Sequence, residues 1–138
     1  MFRLYSKGCE YAIRALSQAA VREGQERFTV KEVCKRSGAP ELSTRKIFQS
    51  LVQRGCLKAT PGPGGGYALT RKPEKIAILS LIEAIDGDGT FARCIMGLPA
   101  CSDRRACPLH ATWLRAKQRL LTELKATTLR DLGDAVTS

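Results

Sequence analysis

The sequence is poor in histidine and in aromatic residues. Its 138 residues include one His, one Trp, three Tyr and four Phe. Because aromatic residues make up 6% of the chain and apolar residues 43%, the predicted core consists mainly of Leu, Ile, Val and Ala. The single histidine, the lack of carboxylate pairs at a catalytic spacing and the lack of a cofactor loop argue against an enzyme.

Long hydrophobic segments are also missing. The longest apolar-rich run, from Ile76 to Ile85, is far shorter than the roughly 20 residues of a membrane-spanning helix. The first residues, Met1 to Lys7, mix charged and apolar side chains and do not have the pattern of a secretion signal. We therefore expect no membrane association and a cytoplasmic location.

Acidic residues are absent from a central part of the chain. Residues 42–72 contain six Lys and Arg and no Asp or Glu. Residues 1–75 carry 15 basic and 6 acidic side chains, whereas residues 76–138 carry 8 and 7. An excess of positive charge confined to one half predicts a polyanionic partner for that half, and DNA phosphate is the commonest such partner.

The N-terminal half has the pattern of a helix-turn-helix. Apolar residues at helical spacing predict a first helix over residues 7–23. Thr29 and Glu32 form a capping box for a short helix that ends at Ser37-Gly38. A third helix is predicted over residues 42–54, with a polar, basic outer face and a C-cap at Gly55. A short helix, a turn and a second helix of this kind are typical of DNA-binding proteins.

Two short strands, residues 56–60 and 67–70, follow the third helix, and the Pro- and Gly-rich residues 61–66 join them. A phosphate-binding catalytic loop is the alternative interpretation of these glycines. It is disfavoured because no Gly-Lys-Ser/Thr follows and because Tyr67 occupies the place of a third fingerprint glycine. We therefore predict a mainly α fold with a small β-wing, a winged helix-turn-helix over residues 1–75.

Within this region, Arg45 is the best candidate for a bidentate contact to guanine, and the basic residues near the wing are expected to contact phosphate or the minor groove. Two subunits would read a pseudo-palindromic operator in double-stranded DNA. The predicted DNA-binding residues are Ser43, Thr44, Arg45, Lys46, Gln49, Arg54, Lys58, Gly64, Gly65, Arg71 and Lys72.

The second half is predicted to contain a connecting helix within residues 76–91 and a long helix over residues 108–126, within a C-terminal region of residues 108–132. An apolar seam on the long helix predicts a homodimer in which two such helices pack together. Packing of the same seam against the chain's own winged helix is the alternative. The seam consists of Leu109, Trp113, Ala116, Leu120 and Leu124.

Three of the six cysteines and the only histidine cluster in and next to residues 92–107: Cys94, Cys101, Cys107 and His110. Thiolates and neutral imidazole are the ligands preferred by iron–sulfur clusters, Zn and Cu(I). The spacing is wider than the closely paired cysteines of most structural Zn sites, although a Zn site and a disulfide switch remain alternatives. The other cysteines are predicted to be small buried hydrophobic residues: Cys9, Cys34 and Cys56.

Five short motifs follow one another along the chain in a characteristic order. They are Leu4-Tyr5-Ser6-Lys7-Gly8, Gly62-Pro63-Gly64-Gly65-Gly66-Tyr67, Ile82-Glu83-Ala84-Ile85-Asp86-Gly87, Cys107-Pro108-Leu109-His110, and Thr127-Thr128-Leu129-Arg130-Asp131-Leu132. In these motifs and their order, the chain resembles the IscR/NsrR-type iron–sulfur winged-helix regulators over nearly its whole length. The resemblance implies a homodimeric transcriptional repressor that senses nitric oxide, redox state or iron–sulfur and iron status.

The resemblance also implies a 2Fe–2S or 4Fe–4S cluster held by Cys94, Cys101 and Cys107. Its fourth ligand is placed like His110 in some relatives, and in others it is a carboxylate that would correspond to Glu10 of the partner subunit. The chain departs from the family in two places. Six residues rather than five separate the first two cysteines, and Arg45 stands where one subgroup has a glutamate.

Overall fold

The computed structural model describes residues 4–21, 27–97 and 107–137. Two short 3-10 helices, Pro73–Lys75 and Asp88–Phe91, lie before and after the α-helix Ile78–Asp86. The mainly α fold with a small β-wing, predicted from sequence, is confirmed. The described residues form α1 (Lys7–Ala20), α2 (Val30–Ser37), α3 (Glu41–Gln53), β1 (Leu57–Thr60), β2 (Gly66–Leu69), α4 (Ile78–Asp86), α5 (His110–Ala126) and α6 (Leu129–Thr137).

Local capping fixes the helix-turn-helix. The hydroxyl of Thr29 accepts a hydrogen bond from the N–H of Glu32 at 3.1 Å, as expected for the start of α2. Gly38 ends α2 with φ +75°, a left-handed conformation that favours glycine. α1 ends at Ala20, three residues before the predicted end, and residues 22–26 lie outside the described part of the chain.

The wing is joined to α3 by aromatic packing. β1 and β2 pair in antiparallel register from Leu57 opposite Leu69 to Thr60 opposite Gly66. Phe28 adds a bridge to Tyr67, with both N–H···O distances at 2.8 Å. The Phe48 ring of α3 lies edge-on to both of these rings, with centroids 6.0 and 5.4 Å away. Such pairs stabilise a fixed orientation of the wing relative to α3.

The hydrophobic core continues beyond residue 75. Ile76, Leu79 and Ile82 belong to the same buried cluster as Leu16 of α1. The chain also returns from α5 to this core, because Ile78 N–H donates to the carbonyl of Thr127 at 2.9 Å. No helix in the described residues is long and apolar enough to cross a membrane.

α6 was not predicted from the sequence, and its close packing on α1 is visible only in the tertiary structure. Gly133 is buried against α1, where an added Cβ would lie 2.8 Å from the carbonyl oxygen of Ser17 and 2.8 Å from a methyl group of Val21. Leu129, at the start of α6, is fully buried. α6 therefore packs closely on the first helix of the winged domain.

Candidate DNA interface and metal centre

The exposed face of α3 carries most of the predicted base-reading residues. Ser43, Arg45, Lys46 and Gln49 are all exposed, whereas Phe48 and Leu51 on the opposite face are buried. In a helix-turn-helix, the N-terminal part of the second helix contacts base edges in the major groove. The structure thus leaves these four side chains accessible, and their contacts with bases remain a prediction.

Thr44 is an exception, and its predicted role in DNA contact is wrong. Its side chain is fully buried, and Oγ1 makes no hydrogen bond within the described residues. Thr44 lies one helical turn before Phe48, so it occupies the core-facing side of α3. Its polar side chain had predicted a position off the apolar stripe, but helical spacing places Thr44 next to Phe48.

Sequence reasoning missed two residues in the first turn of α3. Glu41 accepts a hydrogen bond from Arg45 Nη2 at 2.9 Å, an ion pair between residues four apart. Leu42 is 72% exposed, the largest exposure of a bulky apolar side chain in the described chain. The predicted helix over residues 42–54 began at Leu42, whereas α3 begins at Glu41, directly after its N-cap Pro40.

The basic residues around the wing face solvent. Arg54, Lys58, Arg71 and Lys72 are exposed, as contacts with phosphate would require. Arg27, which the sequence analysis did not select, donates to the carbonyl oxygen of Gly64 at 3.4 Å and adds another exposed guanidinium to the wing.

The two wing glycines serve the loop itself. Gly64 has φ +76°, and a Cβ on Gly65 would clash with the carbonyl oxygen of Thr60. The tight loop therefore requires glycine at these positions because of its backbone conformation and close packing. Direct contact of Gly64 and Gly65 with DNA remains a prediction.

Cys94 and Cys107 come together although many residues separate them. Their sulfur atoms lie 3.8 Å apart, too far for a disulfide bond of about 2.05 Å. Cys94 is buried and Cys107 is partly buried. Two thiolate ligands of one tetrahedral metal atom, each about 2.3 Å from it, would lie about 3.8 Å apart. The donor pair therefore fits a shared metal atom.

The other predicted ligands are less fully defined. Cys101 lies outside the described residues, and within them no group of three potential metal ligands is found. His110 is buried, with 8% of its surface exposed, and its backbone N–H donates to the backbone carbonyl of Cys107 at 3.0 Å. The long helix predicted over residues 108–126 begins two residues later, because α5 starts at His110 and Leu109 is its N-cap. The turn nevertheless keeps Cys107 and His110 adjacent.

Trp113 connects the cysteine region to α5. Its indole Nε1–H donates to the carbonyl oxygen of Arg93 at 2.9 Å, directly before Cys94. The ring is 6% exposed, so a large apolar group also closes this side of the Cys94 region. This hydrogen bond therefore connects the backbone next to Cys94 directly to α5.

Glu10, the alternative fourth ligand, forms ion pairs within its own helix. Its carboxylate lies 3.6 Å from the charged nitrogen atoms of both Lys7 and Arg14. Pairs this long at a partly exposed site contribute little to stability, so they would not prevent Glu10 from exchanging partners. Its role as a ligand from the partner subunit remains a prediction.

The apolar seam of α5 is only partly free in one chain. Trp113 is buried, and Leu120 and Leu124 pack against the chain's own core. Leu109 and Ala116 are exposed. Packing against the chain's own winged helix, the alternative noted from the sequence, is thus supported for Leu120 and Leu124, whereas Trp113 is buried beside Arg93. Dimerisation through the remaining surface of α5 stays a proposal.

A family model, Rrf2, described as an iron-dependent transcriptional regulator, matches residues 5–135. The HTH-type transcriptional regulator IscR of Sodalis glossinidius (strain morsitans) is 31% identical over 130 residues, covering 94% of this chain and 78% of that protein. CymR, the global cysteine regulator of B. subtilis, has a TM-score of 0.79 at 20% identity, with 98% of each chain covered. The structure of T. potens IscR has a TM-score of 0.72 at 24% identity, covering 94% of this chain and 86% of that one.

The two structures support the fold, and the family model and the IscR relative support the resemblance seen in the sequence motifs. The matching family consists of transcriptional regulators, in agreement with the expectation that the chain is not an enzyme. With an exposed basic recognition helix, a wing and a family match over nearly its whole length, the chain belongs to the Rrf2 family of DNA-binding transcriptional regulators.

Proposed function

We propose that this regulator is a homodimeric repressor whose affinity for a pseudo-palindromic operator is controlled by an iron–sulfur cluster. Cys94, Cys101, Cys107 and His110 would hold the cluster. The observation that carries the proposal is the 3.8 Å separation of the Cys94 and Cys107 sulfur atoms, beside the buried His110. When bound, the cluster would supply a centre that responds to nitric oxide, redox state or iron supply.

The packing around the cysteines suggests how such a centre would affect DNA binding. Trp113 connects the backbone before Cys94 to α5, while α4 lies against α5 and joins the core of the winged domain. A change in the loop would thus shift α5 relative to the recognition helix. In a dimer formed through α5, this shift would change the distance between the two recognition helices and hence the fit to both half-sites.

Anaerobic purification followed by metal and sulfide analysis tests the cluster. The wild-type protein should contain iron and acid-labile sulfide, and Cys94→Ser, Cys101→Ser and Cys107→Ser should each lose them. Cys56→Ser is a matched control, since Cys56 is a partly exposed cysteine outside the proposed set. Colourless protein that contains zinc would instead identify a Zn-stabilised DNA-binding protein.

The fourth ligand can be assigned with two further variants. His110→Ala should change the absorption spectrum of the loaded protein, and Glu10→Gln should not. The opposite result would assign the ligand to Glu10 of the partner subunit.

DNA affinity of the loaded and cluster-free proteins, measured at one salt concentration, tests the regulation. Equal affinities would contradict control by the cluster.

A thiol switch is the second candidate, and the same short Cys94–Cys107 distance favours it. Hydrogen peroxide would take two protons and two electrons from the two thiols and be reduced to two molecules of water, while the two sulfur atoms form one S–S bond. Peroxide treatment of metal-free protein, followed by peptide mass spectrometry, should then detect a Cys94–Cys107 linkage. A linkage that forms without altering DNA affinity would exclude the switch.

A further inference from the structure

Leu42 occupies an unusual position for a large apolar residue. It lies in the first turn of α3 and is 72% exposed. Arg45, Lys46 and Gln49 follow it at three, four and seven positions, so all four side chains lie on one side of the helix. This side faces away from the buried Phe48 and Leu51. Leu42 is therefore an apolar group within the polar, basic face predicted to enter the major groove.

The chemistry of the major groove offers one apolar group to such a side chain. The C5-methyl group of thymine is exposed there, and apolar side chains contact it. The phosphate backbone cannot be the partner, since it is bound by charged and polar groups. Leu42 also belongs to the N-terminal end of the recognition helix, the part that reaches the base edges in helix-turn-helix complexes.

The position of Arg45 limits where this thymine would lie. Residues three apart on a helix have Cβ atoms about 5–6 Å apart, and successive base pairs are about 3.4 Å apart. A guanine contacted by Arg45 and a methyl group contacted by Leu42 would thus lie within about two base pairs of each other. Arg45 Nη2 also lies 2.9 Å from the Glu41 carboxylate, one helical turn towards the start of α3.

We propose that Leu42 is a specificity-determining residue that reads a thymine methyl group within two base pairs of the guanine contacted by Arg45. This inference rests on the proposed DNA interface and names a base that the interface recognises. Because Leu42 is exposed, replacing it should leave the fold intact. Its contribution can therefore be measured directly in DNA binding.

The experiment uses a duplex that the wild-type protein selects from a randomised pool. Each thymine of that duplex is then replaced singly by deoxyuridine, which removes the methyl group and preserves base pairing. At fixed salt, wild-type affinity should fall about fourfold at one thymine in each half-site, the effect expected for one buried methyl group. Leu42→Ala should bind the unmodified duplex more weakly and show no further loss at that thymine.

Val136→Ala is the matched control, because Val136 is another exposed apolar residue, on α6 away from α3. This variant should retain the full sensitivity to deoxyuridine. The inference is overturned if no single replacement weakens wild-type binding, or if Leu42→Ala remains sensitive at the same thymine. Selection of no specific duplex by the wild-type protein would instead contradict the proposed function, and the inference with it.

Discussion

The contact between α6 and α1 allows a quantitative test through Gly133→Ala. Two opposing effects determine the result. Alanine favours a helix interior over glycine by about 1 kcal/mol. Overpacking a close contact costs about 1–3 kcal/mol. In this structure the new Cβ would lie 2.8 Å from a backbone oxygen, that of Ser17, which can move only if a helix moves.

We therefore expect the cost of overpacking to exceed the gain in helix propensity. The free energy of unfolding should fall by about 1–2 kcal/mol, within the limits set by these two effects. For a chain of this length, such a change corresponds to a decrease in Tm of roughly 3–10 °C. Circular dichroism during thermal and urea unfolding, at one fixed protein concentration, measures both quantities.

Gly89→Ala provides the control because it introduces the same methyl group where nothing lies within 4 Å. Its stability should stay within about 0.5 kcal/mol of the wild type. If Gly133→Ala were as stable as the wild type or more stable, close packing of α6 on α1 would be refuted.

Three further predictions concern single side chains. Thr44→Val removes a buried hydroxyl that has no hydrogen-bond partner among the described residues, so urea unfolding should show a stability gain of about 1–2 kcal/mol with unchanged DNA affinity; a loss would mean that this hydroxyl is satisfied. Burial, with the charge of Asp86 adding to it, raises the pKa of Cys9 from 9.0 to about 12. The unfolded chain then loses this proton first as the pH rises above about 9, so stability should decline there by at most about 1.4 kcal/mol per pH unit; an equally steep decline in Cys9→Ala would contradict this. Lys72→Gln should reduce the slope of log affinity for DNA against log salt concentration by about 0.9 per subunit, whereas Lys125→Gln on α5 should leave this slope unchanged. Equal slopes in the two variants would show that Lys72 does not contact phosphate.

The sequence predicted those parts of the fold that local interactions specify. The capping of α2 by Thr29, its end at Gly38 and the paired strands of the wing depend on residues close together in the chain. The exposure of Arg45 also followed from helical periodicity and charge. Such patterns can be recognised in one sequence because each interaction partner lies within a few residues.

Other features depend on contacts between distant segments, which the sequence pattern does not specify. Packing between helices determines three of them. These are the burial of Thr44, the position of α6 on α1 and the close approach of Gly133 to Ser17. The cysteine spacing and the family resemblance predicted that Cys94 and Cys107 share one site, but they did not give the distance between the two sulfur atoms. Only the tertiary structure brings the Cys94 and Cys107 sulfur atoms to 3.8 Å, because α5 returns to the segment that follows α4.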